Sequence, residues 1–424
     1  MAALSLGCVL LALTAALGEA QGSSLKPWPL EPTALHAEAG ARLREARRDP
    51  TAGSACVVGL VGLGDSAIAP LLDILRTRTV PQASGEDAPM LLSEPQAALV
   101  LSALEALPRA QVRRKLEELL ATQPELAGSR LAGLQLLGEI GTRRDLERLL
   151  SLIPLEEDGA PSRQAKSLSI SAAARLLLRE PDTCVYAAEL ASQLERGRLR
   201  VLIEALSTTR DARARPALLA AAKAQPELAN LCVSGFRKLP RAAAPELGMW
   251  LAGELPKARP EYARNLCATI AWVDDGDSMA ALVEALGHPE SAVRDAAQLA
   301  LREISGLSLP AEPQTWAPWF DEQRHWKETR LPLLAAAIGF GNTREALAAL
   351  KECAGRRTWK REQAGVLMLG LKRPESGLNA LAFELLTALG AAAVCDQLNP
   401  LDFAHQTLRA RLCGAAGSAP LRKP

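Results

Sequence analysis

The sequence predicts an all-α fold in which antiparallel helical hairpins stack in series, an α-solenoid. Three observations carry that expectation. Hydrophobic residues make up 48% of the 424 residues, but aromatics only 3%. Ala and Leu therefore supply most of the apolar surface, and both are strong helix formers without β-branched bulk. Apolar positions recur at helical spacing in segments that stop at Gly and restart at Pro. Short motifs also return along the chain at a period suited to two-helix repeats. A net charge of +1 argues against a polybasic coat for nucleic acid or for an anionic membrane. Charged residues of both signs, 23% in all, argue against global disorder.

At the N-terminus, Leu4 to Leu17 is an uncharged run of 14 residues. That is too short to span a bilayer, which needs about 20 apolar residues. Gly18-Glu19-Ala20 places small residues at −3 and −1 before Gln21. The pattern is that of a signal peptide at 1–20, although its first residues carry no Lys or Arg. The chain is therefore expected to be exported, to the periplasm or beyond, and cleaved after Ala20. No later stretch is long and charge-free enough for a membrane span. Eight cysteines become seven after cleavage, scattered and never spaced as CxxC. Zinc, haem-attachment and thioredoxin-like readings all fail on that spacing, which leaves buried free thiols.

The clearest hairpin runs from Asp277 to Ile304. Met279, Leu282, Val283 and Leu286 mark one face of a first helix. Gly287-His288-Pro289-Glu290 breaks it, and Val293, Ala296, Ala297, Ala300 and Ile304 mark one face of the second. A hairpin cannot bury its apolar faces alone, so copies are expected. Gln123-Pro124-Glu125-Leu126-Ala127 returns as Gln225-Pro226-Glu227-Leu228-Ala229, 102 residues later, or three periods of about 34. Asn230-Leu231-Cys232 and Asn265-Leu266-Cys267 lie 35 apart. Pro also recurs in or near the start of the other helix, at Pro70, Pro216, Pro245 and Pro332, where it is expected to remove a backbone bond and bend the helix.

These units resemble HEAT repeats. Members of that family often carry Pro in the first helix and open the second with a Val-Arg pair and small residues. Pro70, Pro216, Pro245 and Pro332 match the first feature, and Val293-Arg294-Asp295-Ala296-Ala297 the second. The short form is similar to the bacterial HEAT subtype first noted in phycobilin lyases. The resemblance covers about residues 51–306 and, more loosely, 331–412. It implies a superhelix of about nine to eleven hairpins at about 35–40 residues each. It also implies a function in binding, with a cofactor-attaching lyase as an alternative suggested by the subtype.

The expected organisation follows. A leader at 1–20 precedes a lead-in and capping helix at 21–50, a repeat array at 51–306, and a Trp-rich linking segment at 307–330. Helical repeats at 331–413 and a tail at 414–424 complete the chain. Val80–Glu94 and Leu155–Ser162 read as exposed loops.

Motifs that carry chemistry are sparse. Gly62-Leu63-Gly64-Asp65-Ser66-Ala67 fits GxGxxA, but no βαβ context follows, so it reads as a helix–turn–helix join. The four His have no metal-ligand spacing. Asp274-Asp275-Gly276-Asp277 lacks the alternation of a calcium loop and reads as a helix-capping cluster. No enzyme, metal or cofactor is expected. Two segments stand out as candidate partner-binding sites. The first holds Trp316, Trp319 and Trp326, with Phe320 beside them. It reads either as an exposed hot spot or as an internal staple with Trp319 largely buried. The staple is the preferred reading. The second is Arg356-Arg357-Thr358-Trp359-Lys360-Arg361, a dense basic run with an aromatic. It reads as a solvated turn, or as a phosphate-contacting patch in a nucleic-acid binder. The function expected overall is a non-catalytic scaffold for an unidentified protein partner.

Overall fold

The computed structural model describes residues 33–80, 90–123, 126–153, 163–180, 182–241, 244–398 and 402–413. The expected leader, the tail and the 155–162 loop lie outside them. The fold is all-α, in two compact units, Met1–Leu176 and Leu177–Pro424. Among the described residues, no single helix is long and apolar enough to cross a membrane.

The first unit holds α1 (Ala34–Arg48), α2 (Gly53–Gly62), α3 (Ile68–Thr77), α4 (Glu94–Ala106), α5 (Arg109–Thr122), α6 (Ala127–Ile140) and α7 (Asp145–Ser151). Helix α8 (Arg163–Arg179) carries the chain onward. Helices pack on near neighbours in sequence: α1 on α2 and α3, α2 on α4, α3 on α5, α4 on α6, and α3 also on α6, three helices on. The GxGxxA segment is the join between α2 and α3. Gly64 takes φ +72° there, a left-handed value that a side chain resists. Ile68, Leu71, Leu72, Ile74 and Leu75 then bury one face of α3. Ser93 and Gln96 form a capping box on α4. The same Gln96 donates its Nε2–H to the Leu43 carbonyl of α1 at 2.9 Å.

The segment expected as a plain loop from Val80 is partly ordered. Thr79–Val80 pairs antiparallel with Met90–Leu91, and Val80 is fully buried. An apolar side chain at the foot of α3 draws the loop base onto the core, which charge and Pro content alone do not reveal. Residues 81–89 lie outside the described residues.

The second unit begins with α9 (Thr183–Leu190), α10 (Arg196–Thr209), α11 (Arg215–Ala224), α12 (Ala229–Phe236), α13 (Pro245–Glu254) and α14 (Pro260–Val273). Next come α15 (Met279–Ala285), α16 (Ser291–Ser305), α17 (Pro313–His325), a π-helical turn at Trp326–Arg330, and α18 (Leu331–Phe340). Helices α19 (Thr343–Ala354), α20 (Lys360–Leu371), α21 (Ser376–Leu389), α22 (Ala391–Val394) and α23 (Phe403–Cys413) complete it. The same packing rule holds: α9 on α11, α10 on α12, α12 on α14, α14 on α16, α18 on α20, α19 on α21.

Asn265 on α14 donates to Asn230 Oδ1 on α12 at 2.8 Å, so two residues 35 apart in sequence touch. Cys232 and Cys267 are both buried free thiols. Burial raises each thiol to about 12, which keeps it protonated and inert. Among the described residues, five cysteines are buried free thiols, but Cys395 is held in a disulfide. The expectation of free thiols throughout is corrected at that residue.

The recurrent prolines fall in the first turn of their helices. Pro216, Pro245 and Pro332 sit at the first or second residue of α11, α13 and α18, and Pro70 at the third of α3. A missing N–H costs little in a first turn. Pro332 is the special case, because α17, the π-turn and α18 follow one another without a break from Pro313 to Phe340. Its ring would press on the carbonyl four residues back, and the π-turn lies directly before it.

The α15–α16 hairpin matches its sequence pattern. Met279, Leu282, Val283 and Leu286 are buried from one helix, and Val293, Ala297, Ala300 and Ile304 from the other. Ala296 alone of the marked positions is only partly covered. Val293→Ala or Ile304→Ala is expected to cost about 1–4 kcal/mol. Protection against hydrogen exchange should fall first in α14–α17 and stay unchanged at residues 51–80. Uniform loss across the chain would contradict packing by neighbours.

Candidate functional site

The two sequence segments singled out for partner binding meet in space, and a third segment joins them. Helix α17 presents Trp316, Phe320 and Gln323 to the interior, at i, i+4 and i+7. Trp316 is fully buried and donates its indole N–H to the Pro310 carbonyl at 2.8 Å. Trp326, in the π-turn, is buried as well. Trp319 is partly buried and leans edge-on against Trp316, with ring centroids 5.6 Å apart. Trp319 is thus mostly covered, as the staple reading expects, but Trp316 and Phe320 are covered more completely, because the buried stripe of α17 runs through them.

The basic run supplies the other half. Trp359 is 1% exposed and stacks on Phe320 with centroids 6.0 Å apart. Its backbone takes φ +50°, a strained value for a bulky residue that costs about 1–3 kcal/mol. Neighbouring groups hold it there. Buried Gln363 donates to the carbonyls of Thr358 at 2.5 Å and Arg356 at 3.1 Å. Gln323 accepts from Arg356 at 3.1 Å. The indole lies against Gly276, where a Cβ would sit 2.6 Å from the ring. Only glycine leaves room for Trp359 at that point.

The third segment is Asp274-Asp275-Gly276-Asp277, read from sequence as a helix cap. Its carboxylates receive the basic groups. Asp277 accepts from Lys327 Nζ at 2.6 Å and from the Trp359 indole N–H at 3.1 Å. Asp274 accepts from Lys360 Nζ at 2.6 Å. Arg356 pairs with Glu322 at 3.4 Å and lies 5.5 Å from the centre of the Trp326 ring. Arg357 lies against Gly306. Arg361 lines a cleft of about 210 Å³ with Arg241, Asp274 and Lys360. Of the four cations in the run, two thus face carboxylates of their own unit. The partners missed from sequence are Lys327, Asp277, Gln323 and Gln363. A Gly between acids, 83 positions from a lone Trp, carries no local signal of contact.

Asp275 is turned inward and 9% exposed. It accepts from Ser278 Oγ at 3.0 Å. Burial raises its carboxyl above the ordinary range, with the charge on Asp277 adding to the rise. Burial also raises Glu362, against the lowering pull of Lys327. Among the described residues, no group of three or more His, Cys, Asp or Glu is placed to hold a metal ion. The arrangement is a packed aromatic and ionic knot, which clamps α17 and α20 to the loop before α15. It presents Trp319, Arg357 and Arg361 at its rim and keeps Trp316, Trp326 and Trp359 inside. That is the geometry of a staple.

No protein-family model matches the chain, and no curated protein matches it. Among solved structures it is similar to an engineered protein of known crystal structure, at 14% identity and a TM-score of 0.30. The match covers 84% of this chain and 99% of that one. Nothing about this chain follows from a superposition at that level.

Trp359→Ala is expected to destabilise the second unit by about 3–5 kcal/mol, read by denaturant unfolding. A loss under about 1 kcal/mol would show that the ring is not a staple. A second expectation concerns pH. The folded state disfavours charge on Asp275, so its contribution is full below the unfolded carboxyl pKa of about 3.9 and is lost as pH rises through the raised folded value. Asp275→Asn should remove that loss, melting above the parent near neutral pH and level with it in acid. A melting difference independent of pH would refute the assignment.

Proposed function

We propose that the chain is a non-catalytic scaffold for protein partners, a HEAT-like α-solenoid exported from the cytoplasm. The observation that supports this reading is the packing of helices mainly on near neighbours in sequence within each unit, together with the contact between Asn230 and Asn265, 35 residues apart. Arrays of that kind act through extended surfaces and need no active centre. The warrant from architecture to function is one of association, and the site adds to it. The most chemistry-rich cluster is spent on internal packing, which leaves recognition to the helix faces and loop edges. Pairing of Arg356 and Lys360 within the knot breaks the continuous positive stripe that a nucleic-acid binder requires, so that reading is not favoured. Export is supported by the apolar run at Leu4–Leu17 with Ala20 before Gln21. The disulfide at Cys395 fits an oxidising compartment.

Two measurements test the reading. Mass spectrometry of the protein from its native host should find a mature chain starting at Gln21; a cytosolic protein that keeps Leu4–Leu17 would overturn export. Affinity capture of the exported protein should recover a specific protein partner at stoichiometric yield. Recovery of nucleic acid or of a pigment instead would replace the scaffold reading.

A further inference from the structure

We propose that a groove on the first unit receives a Lys or Arg side chain from an extended segment of a protein partner. The inference rests on the scaffold reading and names the chemistry of the partner. Helices α4, α6 and α8 enclose a groove of about 240 Å³. Its walls carry Glu94 and Glu105 from α4, Glu139 from α6 and Arg175 from α8. Three carboxylates thus face one guanidinium. Arg175 pairs with Glu139. Glu94 has Arg78 no nearer than 3.8 Å and remains 76% exposed. Glu105 is in no ion pair among the described residues and leaves the groove with uncompensated negative charge.

The floor gives an independent sign of the same ligand. Gln135 lines the groove, is 9% exposed, and its Oε1 has no hydrogen-bond donor within the chain. Buried polar atoms are nearly always paired, so an orphan acceptor calls for a donor from elsewhere. The terminal amide turns about a broad, soft torsion and can offer that oxygen to a group in the groove. A guanidinium brings five N–H donors and an ammonium three, with no acceptor to oppose the carboxylates.

Size selects the form of the ligand. Pockets for drug-sized molecules run about 300–1,000 Å³, so this groove is small for a cofactor body. It suits one long side chain with an apolar stem and a charged tip. Ala97, Ala98 and Ala172 supply the low walls along which such a stem lies. The walls are fixed: at Gly138 a Cβ would meet the Ala172 backbone at 2.7 Å, so α6 and α8 are in direct backbone contact beside the site. A free polyamine shares the cationic chemistry, and the experiment separates it from a peptide.

The test uses the full chain and fluorescence anisotropy with a labelled hexa-arginine peptide, hexa-glutamate as control and spermidine as competitor. Hexa-arginine should bind saturably and more weakly as salt rises, and hexa-glutamate should not bind. Glu105→Lys and Gln135→Leu should each weaken binding about tenfold or more, with circular-dichroism melts no lower than the parent. Absence of saturable binding, or equal binding by both variants, would overturn the assignment. Displacement by spermidine at concentrations matching the peptide would make the groove a polyamine site and overturn the peptide occupant. The two levels fail separately. If native capture recovers a partner that both variants hold as tightly as the parent, the groove assignment falls and the scaffold reading stands. If capture recovers no protein while hexa-arginine still binds at the groove, the scaffold reading falls.

Discussion

A helical hairpin rich in Ala and Leu buries one face of each helix within itself and leaves the opposite face bare. Much of the packing among the described residues answers that constraint. Short side chains let helices approach closely, so a bare face is covered by further helices. The contacts of α14 with α12 and α16 and the sharing of Asn265 with Asn230 are local expressions of it. After α16 the regular supply of small helical faces is interrupted by the extended stretch from Gly306 to Glu312. There the chain changes material and uses Trp316, Phe320 and Trp359, because indole and phenyl rings cover in one residue what Ala needs several to cover.

The ionic contacts around those rings follow the burial and do not drive it. Lys327, Lys360 and Arg356 sit at the rim of the aromatic cluster, each with a carboxylate in reach. They are partly exposed, so their attraction is screened by water and salt. Their effect is directional. They fix which way the α20 turn enters and hold the indole N–H of Trp359 on Asp277. A run that reads in sequence as a patch for an external anion has two of its four cations, Arg356 and Lys360, paired from within.

How much of this was legible in the sequence depends on distance along the chain. The α15–α16 hairpin and the join at Gly64 were readable because their signals are local: periodic apolar residues, a glycine, a proline, a cap. The free thiols at Cys232 and Cys267 followed from the scattered spacing of the cysteines. The aromatic cluster was readable as a peculiarity, but not its arrangement. The sequence reading placed the weight of the staple on Trp319. In the structure the buried stripe of α17 passes through Trp316, Phe320 and Gln323, and Trp319 flanks it, edge-on to Trp316. Gly276 under Trp359, and Gln135 between Glu105 and Glu139, had no signature at all. Each depends on helices far apart in sequence arriving side by side.

The π-turn at Trp326–Arg330 has a consequence for the way this region tolerates change in length. A wider turn holds one residue more than the regular helix would, and one residue is about 100° of rotation. The turn is therefore a phase shifter, which lets the aromatic stripe of α17 and the buried stripe of α18 (Leu331, Leu334 and Ile338) point at different neighbours along one unbroken rod. Loss of a single residue between Trp326 and Arg330 would close the turn to a regular helix and leave both stripes on their contacts. Loss of one residue from the regular helix on either side would swing one stripe by about 100°. The turn is thus the one place in this rod where the chain can shorten by a residue without turning a stripe away.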